Sequence, residues 1–327
     1  MKAIAIIGLL AVVTSLYFMS MPTHDKSGFE AFIAEFQKSY NTEDEYNYRR
    51  SVFESNVDMI NRENSKGHTY TLGVNQFADL TLDEFKSMLG YIPVKEHNNL
   101  SVNGPVVPKS DETIDWKEKG DVNDVRNQGA CGSCWAFSAV AALEGAYAIK
   151  NGALKQFSEQ QLVDCDTTSS GCNGGEMFWA FQYYKKHGAC FRENYLYTGY
   201  DGQCKASDCE SDSPKISSYV LIEKNDPTII HTNLAKTPLS LGVAAGNSIW
   251  QFYSGGVVSE SSESACGHRL DHGVLMAGYH ADEDAWQIKN SWGTGWGRSG
   301  YIYIQDNHMK DTYGICGVNM EISYPVY

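Results

Sequence analysis

The chain has 327 residues and a mass of 36.3 kDa, long enough to predict either a removable segment ahead of a catalytic body or two lobes sharing a cleft. Its 26 Lys and Arg face 40 Asp and Glu, a net charge of −14, and residues 110–327 alone carry 16 against 27, or −11. That surplus argues against nucleic acid and anionic membrane as partners, and it suits an acidic compartment as well as ordinary solubility.

In chain order, Met1-Lys2 precedes a mostly apolar run from Ala3 to Met19 that ends before Pro22. A basic start and a short apolar stretch read as a secretory signal peptide cut near Ser20, with an uncleaved N-terminal anchor as the alternative. No later segment is apolar enough to span a bilayer, so no stable membrane insertion is expected after cleavage. All nine cysteines lie between positions 131 and 316. In an oxidising compartment an odd number reads as disulfides plus one unpaired thiol.

Residues 26–89 predict a helical, mixed-charge segment. Within it Glu45, Arg49, Phe53, Asn56, Ile60 and Asn64 recur at steps of three or four and fall along one helix stripe. Any amphipathic helix offers such steps; the residue identities are more specific. Together with Gly73, Asn75, Phe77 and Asp79 they resemble the E-R-F-N-I-N and G-N-F-D signatures of propeptides in cathepsin L-like proteases. Residues 90–109, with three prolines and two glycines, predict an exposed linker that is easily cut. Asn99-Leu100-Ser101 is the one glycosylation sequon, so a glycan at Asn99 would sit on that removable stretch. From Cys134 an alanine-rich, proline-free run predicts a buried helix, and a second helix is expected over 176–186. Beyond residue 216 short β-type runs follow at 216–222, 239–243, 273–279, 286–289 and 301–304. A helical half before a strand half implies two lobes with a cleft between them.

Gln128-Gly129-Ala130-Cys131-Gly132-Ser133-Cys134-Trp135 supplies a cysteine at a helix start, where the dipole favours thiolate. A nearby imidazolium would lower the thiol pKa further and complete an activated nucleophile. His272 follows far along the chain ahead of a β-type run, and Asn290 heads Asn290-Ser291-Trp292-Gly293. That order and spacing resemble the papain-like cysteine peptidases. The resemblance implies that Cys134 attacks, His272 shares and transfers the proton, Asn290 orients the ring, and Trp292 shields their bond. It also implies that Gln128 helps to hold the oxyanion.

Each residue has a bland alternative. A lone histidine is more often structural; Asn290 and Gln128 could serve in turns or on the surface, and Trp292 could be core. The Cys131-x-x-Cys134 spacing also fits a thioredoxin-type redox pair or half a zinc site. Neither a βαβ pattern nor a second metal-spaced pair accompanies it. No metal and no cofactor are expected.

The family resemblance implies the pairings Cys131 with Cys172, Cys165 with Cys204, and Cys266 with Cys316. Cys190 and Cys209 remain and are expected to form a fourth bridge, leaving Cys134 free. The resemblance further implies that Gly174 and Gly175 pair with an extended substrate backbone. Their alternative is a plain turn. Met177, Gly242, Leu270, Asp271, Gly273 and Glu321 would lie at the substrate, with Glu321 at the floor of the pocket for the second residue before the scissile bond. A carboxylate there would admit basic as well as bulky apolar side chains.

The resulting expectation is an α+β, papain-like two-lobe fold: a helical left lobe, a β-barrel-like right lobe and the cleft between. Residues 1–20 would be the signal, 21–109 a mainly helical inhibitory propeptide, and 110–327 the peptidase domain. The active N-terminus is expected between 105 and 112. The chain would be a self-inhibited zymogen of a cysteine endopeptidase, since no cleft-blocking insertion of exopeptidase type is evident. A non-catalytic papain-fold binding protein and a thiol oxidoreductase are the alternatives. Expected partners are protein and peptide substrates, the chain's own propeptide and cystatin-like inhibitors, with the enzyme a monomer. Its destination would be a lysosome or other acidic vesicle, or the extracellular space.

Overall fold

The computed structural model describes residues 28–93, 112–209, 213–259 and 266–327. The signal segment, Asn99 and nearly all of the expected maturation window lie outside them. Among the described residues no helix is long and apolar enough to cross a membrane.

Helix α1 (Phe29–Phe36) packs on α2 (Glu43–Asn64) through Phe29, Phe32 and Phe53, whose rings meet at 4.9–5.4 Å. Thr42 caps α2 by accepting from the Glu45 N–H, while the Glu45 carboxylate accepts from the Asn41 N–H. The stripe residues have separate tasks. Arg49 donates to the Asp79 carbonyl and to Glu84, Asn56 donates to the carbonyls of Ala78 and Leu80, and Asn64 brackets both backbone groups of Leu72. Phe53 and Ile60 are buried between them. One helix face thus holds the following loop in shape. Buried Asp79 closes that loop by accepting from Lys38 and Tyr40.

Strand β1 (Tyr70–Leu72) then pairs antiparallel with β5 (Tyr253–Gly256), Tyr70 opposite Gly256. The N-terminal segment is therefore a strand added to the edge of the second lobe. Asn75 donates to the Gln251 carbonyl, and Gln251 donates back to the carbonyls of Phe77 and Leu80. Helix α3 (Leu82–Lys86) follows, closed at its start by a reciprocal Thr81–Glu84 capping box.

The first lobe is built on α4 (Cys134–Asn151), buried along most of its length and ended by Gly152 at φ 69°. Helices α5 (Glu159–Cys165) and α6 (Met177–His187) pack around it. The second lobe is one sheet in the order β3 (Ser218–Leu221), β9 (Ile322–Val326), β4 (Leu239–Val243), β6 (His272–His280), β7 (Ala285–Lys289), β8 (Tyr301–Gln305). The short β2 (Ile114–Asp115) also pairs with β6. Helices α7 (Pro227–Leu234) and α8 (Ser248–Phe252) interrupt the strands.

Among the described residues the sheet does not close into a barrel. The free edge of β8 is taken instead by Val258, whose N–H donates to the Tyr303 carbonyl and whose carbonyl accepts from Gln305. With those groups satisfied, nothing drives β3 and β8 together. Two buried serines tie the lobes: Ser138 of α4 donates to the Val274 carbonyl at 2.6 Å, and Ser240 donates to the Ser138 carbonyl at 2.9 Å.

Candidate active site

Cys134 is the first residue of α4, so its sulfur sits beside the unpaired N–H groups of the first turn. It is the one free cysteine; the other eight pair 131–172, 165–204, 190–209 and 266–316. Cys131 being held to Cys172 removes the dithiol that a redox Cys-x-x-Cys requires.

His272 opens β6, and Asn290 stands just past β7. Antiparallel pairing of these strands, Leu275 opposite Lys289, brings both residues to one end of the sheet. There His272 Nε2 and Asn290 Oδ1 lie 2.8 Å apart. The other ring nitrogen, Nδ1, is buried with no hydrogen-bond partner among the described residues. Trp292 stacks on the imidazole at 4.6 Å between centroids, and the next residue, Gly273, packs against the Cys134 and Trp135 backbone. The helix start that carries the sulfur and the strand end that carries the ring therefore pack together where the lobes join.

Gln128 lies buried in the loop ahead of α4. Its Oε1 accepts from Ser291 at 2.7 Å, which turns the amide nitrogen outward, and that Nε2 donates to the carbonyls of Cys131 and Met88 at 3.0 and 3.2 Å. Ser291 gave no signal in the sequence beyond its place beside Asn290.

The N-terminal segment occupies this centre. The Gly90 N–H donates to the Cys134 sulfur at 3.3 Å. Gly175 donates to the Gly90 carbonyl and accepts from the Ile92 N–H, both at 2.9 Å, a parallel bridge centred on Tyr91. The Tyr91 N–H donates to the Asp271 carbonyl at 3.1 Å. The Tyr91 ring lies over Gly242 and its hydroxyl donates to Glu321. Met177 is buried with its sulfur against Gly273, and Leu270 lines the groove beside Tyr91 and Glu321. Gly174 turns the strip at φ 116° and lies under the Gly90 carbonyl and Ile92. Phe77 and Phe85 clamp Trp292 edge-on at 5.4 and 5.3 Å. Met88, Gly90 and Tyr91 carried no catalytic signature in the sequence, because a backbone laid in a cleft needs none.

This covering alters the electrostatics expected of an exposed thiol and imidazole. Burial pushes the Cys134 thiol up to about 11, only partly opposed by the N–H groups of Gly273, Gly90 and Trp135. Burial likewise pushes His272 down to about 4, against the bond to Asn290. With that segment in place the neutral pair is favoured over the thiolate and imidazolium.

Residues 110–326 match the model of the papain family cysteine proteases, and residues 29–85 match the cathepsin propeptide inhibitor domain. The chain belongs to the papain family of cysteine proteases. It carries its own inhibitory propeptide and is a zymogen that hydrolyses peptide bonds once that segment is removed. Cysteine protease XCP2 of Arabidopsis thaliana is 42% identical over 322 residues, covering 93% of this chain and 88% of that protein. KDEL-tailed cysteine endopeptidase CEP2 of the same plant is 41% identical over 294 residues, covering 85% and 80%. The crystal structure of the ragweed pollen allergen Amb a 11 cysteine protease in its proform superimposes with a TM-score of 0.81 at 36% identity, covering 91% of this chain and 92% of that one.

Proposed function

We propose that this protease is an endopeptidase in which Cys134 is the nucleophile and His272 the acid and base. The supporting observation is that Gly273, next to an imidazole held by Asn290, packs on the backbone of the one unpaired cysteine at a helix start. In that reading the sulfur attacks the scissile carbonyl carbon and His272 passes the proton to the leaving amine. Water then hydrolyses the thioester, with His272 taking its proton. Asn290 keeps the ring in plane, Trp292 excludes water from their bond, and the Gln128 amide with the Cys134 N–H receives the oxyanion.

The direction of the propeptide supports its inhibitory role. A substrate would pass its pocket residue before reaching the sulfur. Here the chain reaches the sulfur at Gly90 and enters the pocket afterwards with Tyr91, the reverse order, with a backbone N–H against the sulfur. Residues 21–109 are the proposed extent of the removed segment after a signal at 1–20, and 110–327 the mature enzyme. The mature cleft would take extended peptides along Gly174 and Gly175, with Glu321 admitting basic side chains, and would receive cystatin-like inhibitors. Four disulfides support a secretory route to an acidic vesicle or the exterior.

Acid-processed protein titrated with a thiol-directed peptidyl epoxide tests the assignment. Stoichiometric labelling at Cys134, lost in Cys134→Ser, is the expected result. Absence of labelling would favour a non-catalytic binding protein.

A further inference from the structure

Glu176 follows the Gly174-Gly175 strip directly and precedes α6, at the wall of the pocket that Tyr91 fills. It is 3% exposed, and its Oε2 has no hydrogen-bond partner among the described residues. The Tyr91 hydroxyl donates to Glu321 and also lies within the field of Glu176, so two carboxyl groups face one phenol. A phenol has one proton to donate. Glu321 takes it, so Glu176, which faces the same hydroxyl and draws on the N–H groups of Phe178 and Trp179, keeps an Oε2 with no hydrogen-bond partner among the described residues.

Burial first, then the charge of Glu321, pushes the Glu176 carboxyl up to about 8, against the N–H groups of Phe178 and Trp179 and the Tyr91 hydroxyl. Two anions in so dry a pocket are disfavoured without a cation between them. An aliphatic side chain supplies no donor, so it would leave both carboxyl groups desolvated and unpaired. An ammonium supplies a compact charge. A planar guanidinium offers five N–H donors on separate edges and can answer two carboxylates at once.

We propose that Glu176 is a second specificity-determining carboxylate which, together with Glu321, selects arginine over lysine and leucine in the pocket now held by Tyr91. This rests on the reading that the Tyr91 pocket receives the second residue before the scissile bond. Tyr91 is then a neutral stand-in whose one proton must serve two carboxyl groups. Arginine satisfies both.

The test is kcat/KM of the acid-processed enzyme, its concentration set by epoxide titration, on fluorogenic dipeptides with arginine at the cleaved position and arginine, lysine or leucine before it. Wild type is expected to prefer arginine to lysine and lysine to leucine. Glu176→Gln should lower kcat/KM for the arginine peptide by about tenfold or more, chiefly through KM, and leave the leucine peptide within about twofold. Glu176→Leu, which carries no polar group to strand in the pocket, should show the same loss for arginine and a gain for leucine, so a poorly folding glutamine variant does not end the test. Glu176→Gln and Glu321→Gln should be non-additive for arginine, since one guanidinium would bridge both. Equal losses on arginine and leucine peptides would overturn the proposal. So would an arginine-to-leucine ratio that moves in Glu321→Gln but not in the Glu176 variants, an outcome that leaves the role of Glu321 standing. Failure of the epoxide to label Cys134 would remove the underlying reading as well.

Discussion

The backbone N–H of Gly90 donates to the sulfur of Cys134 at 3.3 Å. The inhibitor thus meets the thiol with a proton donor rather than a carbonyl carbon, while its bulk removes the water that would solvate a thiolate. With the thiol raised to about 11 and the imidazole lowered to about 4, the sulfur stays protonated across the neutral range. Iodoacetamide should therefore label Cys134 at pH 6 to 7 at least about 10²-fold faster in the processed enzyme than in the intact zymogen. Equal rates, followed by intact mass, would contradict this account of latency.

Gly90 has no room for a side chain, because a Cβ there would strike the carbonyl of Gly132. Overpacking of this kind costs about 1–3 kcal/mol. Gly90→Val should accordingly loosen the propeptide, shortening the half-time of self-processing at pH 5.5 by about tenfold or more. A gel time course with an unchanged half-time would show that Gly90 does not set the fit.

Gln128→Ala should lower kcat by about 10²–10³ while KM changes little, as expected for loss of an oxyanion donor. Ser291→Ala keeps the amide but frees it to rotate, since Ser291 holds Gln128 Oε1 at 2.7 Å. A smaller loss of roughly fivefold, matching a hydrogen bond of about 1 kcal/mol, is expected. Steady-state kinetics separate the two, and a larger effect at Ser291 would reverse their assigned importance.

Burial works to raise the Glu84 carboxyl, but its bonds with Arg49 and Thr81 prevail and hold it below the usual value of 4.5. A lowered folded-state pKa contributes stability above the unfolded value and loses it as pH falls through the folded one. Glu84→Gln keeps the capping-box geometry while removing the charge. The zymogen's Tm should drop by a few degrees or less at pH 6 to 7, as a partly exposed pair is worth about 1 kcal/mol at most. The difference should close only as pH falls through the lowered folded-state value, where wild type also comes to carry a neutral group. Scanning calorimetry that finds the difference constant with pH would remove Glu84 from the acid response.

Much of the site was legible because its chemistry is local. An alanine-rich run beginning at Cys134 announces a helix with a thiol at its positive end, and the stripe from Glu45 to Asn64 announces a helix whose polar residues must bond to something. The core strands 239–243 and 301–304 were recovered within a residue of β4 and β8, since period and β-branching act within a few positions. Helices α5, α7 and α8 were missed; the last two lie within the strand half, where only packing against the sheet calls for them.

The open sheet and the strand pairing of β1 with β5 left no mark in the chain, because edge pairing depends on which strand arrives beside which. The amino-acid sequence alone determined which groups exist: one odd thiol, a distant histidine and asparagine, and an inhibitory segment ahead of them. Tertiary structure alone decided the direction in which that segment crosses the cleft, and that Glu176 faces Glu321 across the hydroxyl of Tyr91. Residue type and spacing are properties of the chain read along its length. The polarity of a bound backbone and the meeting of two carboxyl groups are properties of space, set only when two lobes close on a third segment.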